Sequence, residues 1–198
     1  RFLVLGDTRS FHHNHAAVVE QAVGRAGHLV INTGDLVNVG GSEEDWRNFF
    51  AVERPLLAST VSAAVVGNHD LAGGGISSFL RLFVHPEGSH APERDFHVDV
   101  GCVRFVFLDN AVTASSPGPQ KAWLDQTLEQ GRTTPGIEHL IVAVHQGIHS
   151  NGPHGPSKGL LAAGLDDVMR EHGVALVLAG HDHSYERGVV DGLRYMIS

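Results

Sequence analysis

The chain has 198 residues, 42% hydrophobic and 18% charged, which suits a globular protein with one sizeable core. The net charge of -8 with histidines neutral, and the absence of any Lys/Arg cluster, argue against a sequence-independent nucleic-acid binder, and no nucleic-acid groove is expected. A single cysteine, Cys102, excludes an internal disulfide and a Cys-rich zinc site, and no stretch reaches the roughly 18 apolar residues of a membrane span.

In chain order, FLVLG (2–6) predicts a first strand and HAAVVEQAVGRA (15–26) a helix with apolar residues at helical spacing. HLVINTG (28–34) is a second strand. Ser42 with Asp45 forms a capping box for a helix over 42–54. VSAAVVG (61–67) is a strand and 76–83 a helix. DFHVDV (95–100) and RFVFLD (104–109) flank Gly101 and Cys102 and predict a hairpin, with Cys102 read as a core thiol. A helix over 119–130, the strand HLIVAVH (139–145), a helix over 158–172 and the strand ALVLAG (175–180) follow. The strands are Val-, Ile- and Leu-rich with little polar alternation, the mark of burial on both faces. Strand and helix alternation predicts an α/β fold with a largely parallel centre and one domain over 1–198. The chain opens on a strand and ends in the strand-like LRYMIS, so the C-terminal strands read as cut short. No signal peptide is visible.

Five of these runs end in polar clusters: GDTR, GDLVN, GNHD, HQGIHSNGPH and GHDHSYER. Ligands in open α/β sheets bind outside the carboxyl ends of the strands. Asp7, Asp35, Asn68, His69, His145, His181 and His183 are thus expected on one rim. Carboxylate, amide and imidazole donors without thiolate suit Zn, Mn, Fe or Ni, and their number exceeds the four ligands of one structural zinc. A glycine precedes Asp7, Asp35, Asn68 and His181, allowing sharp turns and close loop approach. Singly, each residue has a plainer reading. Asp7 and Asp35 are also candidate helix N-caps, Asn68 a turn residue, and His145 a satisfied buried imidazole. His12, His13 and His15 read as a cap-region histidine and two solvated ones rather than a metal cluster. Asp109 and Asn110 read as structural, Asp70 and Asp182 as orienting neighbouring histidines, Tyr185 and Glu186 as packing and loop-pinning residues, and Trp46 and Trp123 as core.

The ordered blocks GD, GDLV, GNHD, H and GHDH, spanning residues 6 to 188, resemble the signature of the calcineurin-like metallophosphoesterases, and SYER after GHDH resembles their purple acid phosphatase branch. The resemblance implies a four-layer α/β/β/α sandwich around two divalent or trivalent ions. Asp35 would bridge them, Asp7 and His183 would serve the first, and Asn68, His145 and His181 the second. His69 would assist at the phosphate or leaving group. His181 and His183, two apart in an extended segment, would point the same way and each reach a different ion. The implied activity is hydrolysis of phosphate-ester small molecules by a metal-bridging hydroxide, with monoesters favoured over diesters and nucleotides. A non-catalytic scaffold with a degenerate first site, or a mononuclear esterase, are the alternatives. Resemblance to GDTR-type bacterial phosphoesterases leans toward export rather than a cytoplasmic location.

Two positions depart from the family pattern. Where many members carry a metal-binding His, this chain has Arg9, which cannot ligate a cation. Where purple acid phosphatases carry a Tyr, it has Asn38, which offers a carbonyl oxygen as an extra ligand but no Tyr–iron colour. Arg9 reads either as a bidentate phosphate contact or as a salt bridge on a helix approach. His154, nine residues after His145, reads either as a substrate-facing histidine or as an exposed loop residue.

Overall fold

The computed structural model describes residues 1–25, 27–87 and 89–198. In chain order its elements are β1 (Phe2–Leu5), α1 (His12–Val23), β2 (Leu29–Asn32), α2 (Glu43–Leu57), β3 (Val61–Ala64), α3 (Asn68–Leu71), α4 (Ile76–Leu82), β4 (Phe96–Val100), β5 (Val103–Leu108), α5 (Asn110–Ser115), α6 (Pro117–Thr133), β6 (His139–Gln146), α7 (Lys158–Ala162), α8 (Leu165–Glu171), β7 (Leu176–Gly180), β8 (Glu186–Val190) and β9 (Leu193–Ile197). β1, β2 and β3 form a parallel sheet in that order. The other six form a second sheet, ordered β4-β5-β6-β7-β9-β8, parallel in the middle and antiparallel at both edges. The parallel centre is therefore divided between two sheets.

Strand alternation explains the layering. Phe105 and Phe107 of β5 face one way and meet Leu29, Ile31 and Ala63 of the smaller sheet. Val106 and Leu108 face the other way, onto Leu124 and Leu128 of α6 and Leu165 of α8. Outside the smaller sheet, Ala64 and Val66 pack on Trp46, Phe49 and Phe79, and Val30 packs on Val19 and Leu56. The order is helices, sheet, sheet, helices.

Several local expectations change. α1 begins at His12, earlier than the spacing predicted, and Ala26, the predicted end, lies outside the described residues. His15 is consequently no cap. It is buried inside α1 with Nε2 2.8 Å from Glu53 Oε1, while His12 and His13 stay exposed. The helix over 158–172 is split by Gly164, whose φ of +65° takes the left-handed conformation that a continuous helix excludes. Cys102 is exposed in the β4–β5 turn, and Tyr185 is exposed rather than packed. Half of the capping box forms: Ser42 accepts the Asp45 N–H at 3.2 Å and starts α2, but the Ser42 N–H donates to the Val39 carbonyl and not to Asp45.

His85 is a structural imidazole. It stacks on Phe96 with centroids 4.2 Å apart, and its Nε2 accepts the Ala64 N–H. Burial pushes it down to about 4. A folded value below the unfolded one means stability that is complete above about pH 6.5 and is lost as pH falls toward 4. Up to roughly 3 kcal/mol is at stake. Urea unfolding at pH 7 and 4.5 should show this loss, and His85→Phe should show a smaller difference between the two pH values. An unchanged difference would refute the assignment.

Candidate metal centre

Strand ends from both sheets converge here: Asp7 after β1, Asp35 after β2, Asn68 after β3, His145 at the end of β6, and His181 and His183 after β7. Ligand atoms of Asp7, Asp35 and His183, the first triad, lie within 4.8 Å of one another, and so do those of Asp35, His145 and His181, the second triad. Asp35 belongs to both triads. His145 Nε2 lies 3.1 Å from Asn68 Oδ1, 3.2 Å from His181 Nδ1 and 3.4 Å from Asp35 Oδ1. His183 Nε2 lies 3.3 Å from Asp7 Oδ1.

The chemistry of these atoms calls for positive charge. His145 Nδ1 sits 2.8 Å from the Thr33 carbonyl, which can only accept, so Nδ1 carries a proton. Nε2 then faces Asn68 Oδ1 and Asp35 Oδ1, both lone-pair atoms. A proton on Nε2 meets that demand in one way, and a metal ion in the other. Asp7 Oδ1 is buried without a hydrogen-bond partner. Burial disfavours charge on His145, but the hydrogen bond and charge of Asp35 outweigh it and raise its pKa. Burial likewise pushes Asp35 up, and His145 more than reverses this, leaving its carboxyl below the usual range. His181 is pushed down to about 4 by burial and then by the charges of His145 and His154, so it stays neutral, as a metal ligand must be. The donor set fits two ions with oxygen and nitrogen ligands.

The backbone is shaped for this purpose. Seven non-glycine residues among those described have positive φ, and four are candidate ligands: Asp7 (52°), Asp35 (54°), His181 (74°) and His183 (51°). Each such conformation costs on the order of 1 kcal/mol and persists only where its surroundings enforce it. It also corrects the expectation of an extended segment. A left-handed turn, not period-two alternation, sends His181 to one triad and His183 to the other. Neither Asp7 nor Asp35 caps a helix; Phe11 and Ser42 hold the N-cap positions of α1 and α2.

Asp70 orients no histidine. It is fully buried and accepts the N–H groups of Asp35, Leu36, Val37 and Gly67, binding the second and third loops together. A side chain on Gly67 would run into Asp35 N and Oδ1. Gly67→Ala should therefore displace Asp35 and lower Mn²⁺ affinity roughly 10- to 100-fold, the scale for disturbing a ligand's support. Elemental analysis checks this.

Other placements are mixed. Asp182 does orient a histidine: its Oδ1 lies 3.0 Å from His154 Nδ1 and accepts the His154 N–H at 2.8 Å. The exposed His154 ring lies tilted beside His181, centroids 4.3 Å apart. His69 donates its backbone N–H to Asp35 Oδ1 at 2.8 Å, and its Nδ1 sits 2.8 Å from Asn38 O. Asn38 turns Oδ1 toward Arg9 Nη1 at 3.4 Å. Arg9 pairs with the candidate ligand Asp35, Nε to Oδ2 at 3.4 Å, rather than with a helix approach. Glu186 pins the loop after β6 by accepting from Asn151.

Thr33 escaped the sequence reading, and Asn110 was read as structural without its tie to His145. Thr33, inside the NTGD block, orients His145 through its carbonyl. Asn110 Oδ1 accepts from His145 N and Gln146 N, at 3.1 and 2.8 Å, where the β6–β7 register shifts. That irregularity re-aims the strand end. The LDN ending of β5 was the available signal.

Fold and site together define a metallophosphoesterase-type protein. The family model for calcineurin-like phosphoesterases matches residues 1–185, and the chain belongs to that family. It is 26% identical over 151 residues to purple acid phosphatase 23 of Arabidopsis thaliana, covering 72% of this chain and 32% of that protein. Two solved structures share the fold. A purple acid phosphatase, PPD1, from yellow lupin has a TM-score of 0.78 at 16% identity, covering 99% of this chain and 43% of that one. A dimetal phosphatase from Danio rerio has a TM-score of 0.74 at 17% identity, covering 99% and 86%. The chain thus spans about a third of that curated plant relative.

Proposed function

We propose that the chain is the catalytic domain of a dimetal phosphoesterase that hydrolyses phosphate esters, with monoesters favoured. One observation carries the reading: the two ligand triads share Asp35. Asp7, Asp35 and His183 would hold one ion, and Asn38, whose Oδ1 now faces Arg9 Nη1, would add an oxygen ligand once Arg9 moves away. Asp35, Asn68, His145 and His181 would hold the other. Mn, Fe, Zn or Ni all suit these donors. When bound, such a pair supplies a nucleophile near neutral pH and stabilises charge on the phosphoryl oxygens.

The chain's own residues do the rest. Thr33 and Asn110 set the orientation of His145. Asp70 holds the Asp35 loop. His69, anchored through Nδ1 to Asn38, keeps Nε2 free to meet the departing oxygen. His154, held by Asp182 beside His181, would contact a phosphate oxygen. Asn68 and Arg9 border the same space. The exposure of Asn68, Asn38, His154 and His183 makes the site open, which supports small and varied esters.

The test compares p-nitrophenyl phosphate with bis(p-nitrophenyl) phosphate in the presence of Mn²⁺. Turnover of both is expected, with the larger kcat/KM for the monoester; a larger diester value would assign a phosphodiesterase. A second reading, a non-catalytic scaffold, is favoured by the guanidinium at the first triad. It predicts no turnover of either ester with Mn²⁺, Fe²⁺, Zn²⁺ or Ni²⁺.

A further inference from the structure

Arg9 enters the centre where the first triad is thinnest. Its N–H donates to the Asp35 carbonyl at 3.1 Å, which fixes the backbone. The guanidinium then spans three partners: Asp35 Oδ2, 3.4 Å from Nε; Asn38 Oδ1, 3.4 Å from Nη1; and His183 Nε2, 3.3 Å from Nη2. The side chain is 22% exposed and Asp35 only 1%.

Guanidinium has donors and no lone pair. The Nη2 contact therefore uses the lone pair of His183 Nε2, which is the pair an ion in the first triad needs. Asp35 Oδ2 lies under the same cation. Arg9 thus engages two of the three first-triad residues. The second triad meets Arg9 only through the shared Asp35, since among the described residues no Lys or Arg side chain pairs with Asn68, His145 or His181. Charge compounds the asymmetry, because a dication in the first triad would sit beside a fixed positive group in a partly desolvated pocket.

We propose that Arg9 is the resident cation of the first triad. The chain holds one ion tightly through Asp35, Asn68, His145 and His181, and it admits a second only when the guanidinium swings out. This deepens the metal-centre reading and rests on it. Arg9 is then a built-in restraint on the dinuclear state. Swung outward, the same guanidinium is free to take a phosphate oxygen.

The experiment is a Mn²⁺ titration of the full chain, followed by calorimetry and by electron paramagnetic resonance. The wild type should bind one ion with an isolated six-line Mn²⁺ spectrum, and a second ion at least roughly tenfold more weakly. Arg9→Met should bring the two affinities together, and the six-line intensity should fall as the second ion couples to the first. Arg9→Gln serves as a second neutral variant should Arg9→Met fold poorly. His181→Ala should remove the tight ion. Two equal sites in the wild type, an Arg9→Met titration that superposes on it, or a tight ion that survives His181→Ala would each overturn the proposal and leave a metal centre standing. No ion in any of these proteins would sink the metal-centre reading as well.

Discussion

Asp35→Ala should strip the chain of both ions and lower kcat/KM for p-nitrophenyl phosphate on the order of 10³-fold, the scale of losing a preorganised charge clamp. The reason is its double membership. Asp35 supplies a ligand atom to each triad, is almost fully buried, and faces His145, Arg9 and the His69 N–H at once. Losing it leaves Asp7 and His183 alone on one side and the neutral donors Asn68, His145 and His181 on the other. Neither set retains enough charge to bind a hard cation tightly. Elemental analysis and ester kinetics on the same preparation check the result. Retention of one ion by the variant would mean that the carboxylate serves a single site.

The second large effect falls on stability. Asp70→Ala should destabilise the protein by about 3 kcal/mol or more, because it strands four buried N–H groups that its carboxylate now satisfies. Asp70 accepts from backbone N–H groups and not from a candidate ligand side chain among the described residues. Yet it joins the loops carrying Asp35 and Asn68, and metal affinity should fall with stability. The urea midpoint of the metal-free protein separates the two effects. An unchanged midpoint would show that water replaces the carboxylate and that the loops are held by other contacts.

Metal-site chemistry was legible in the chain for a local reason. Each candidate ligand lies at the end of an apolar strand or within four residues after it, so GD, GNHD and GHDH declare themselves without tertiary context. Fold class was legible too, because strands buried on both faces must be nearly continuous apolar runs. The division of those runs between two sheets was legible only through the family resemblance, which implied the four-layer sandwich, and not from the runs themselves. Hydrophobicity specifies that a strand is covered, and not whether a helix or a second sheet covers it, so only packing revealed Phe105 and Phe107 against Leu29 and Ile31.

The finer parts of the site depend on groups far apart in sequence. Asp70 as loop anchor and Thr33 as orienter of His145 work through backbone N–H and C=O, which carry no residue-specific signal. His15 looked like a helix cap until α1 was seen to start earlier and to face Glu53 across 38 positions. Arg9 shows the limit most sharply. Sequence establishes that a guanidinium stands where it cannot ligate. Only the tertiary structure decides that it lies against Asp35 and His183, because that placement depends on the β1, β2 and β7 loops meeting in space.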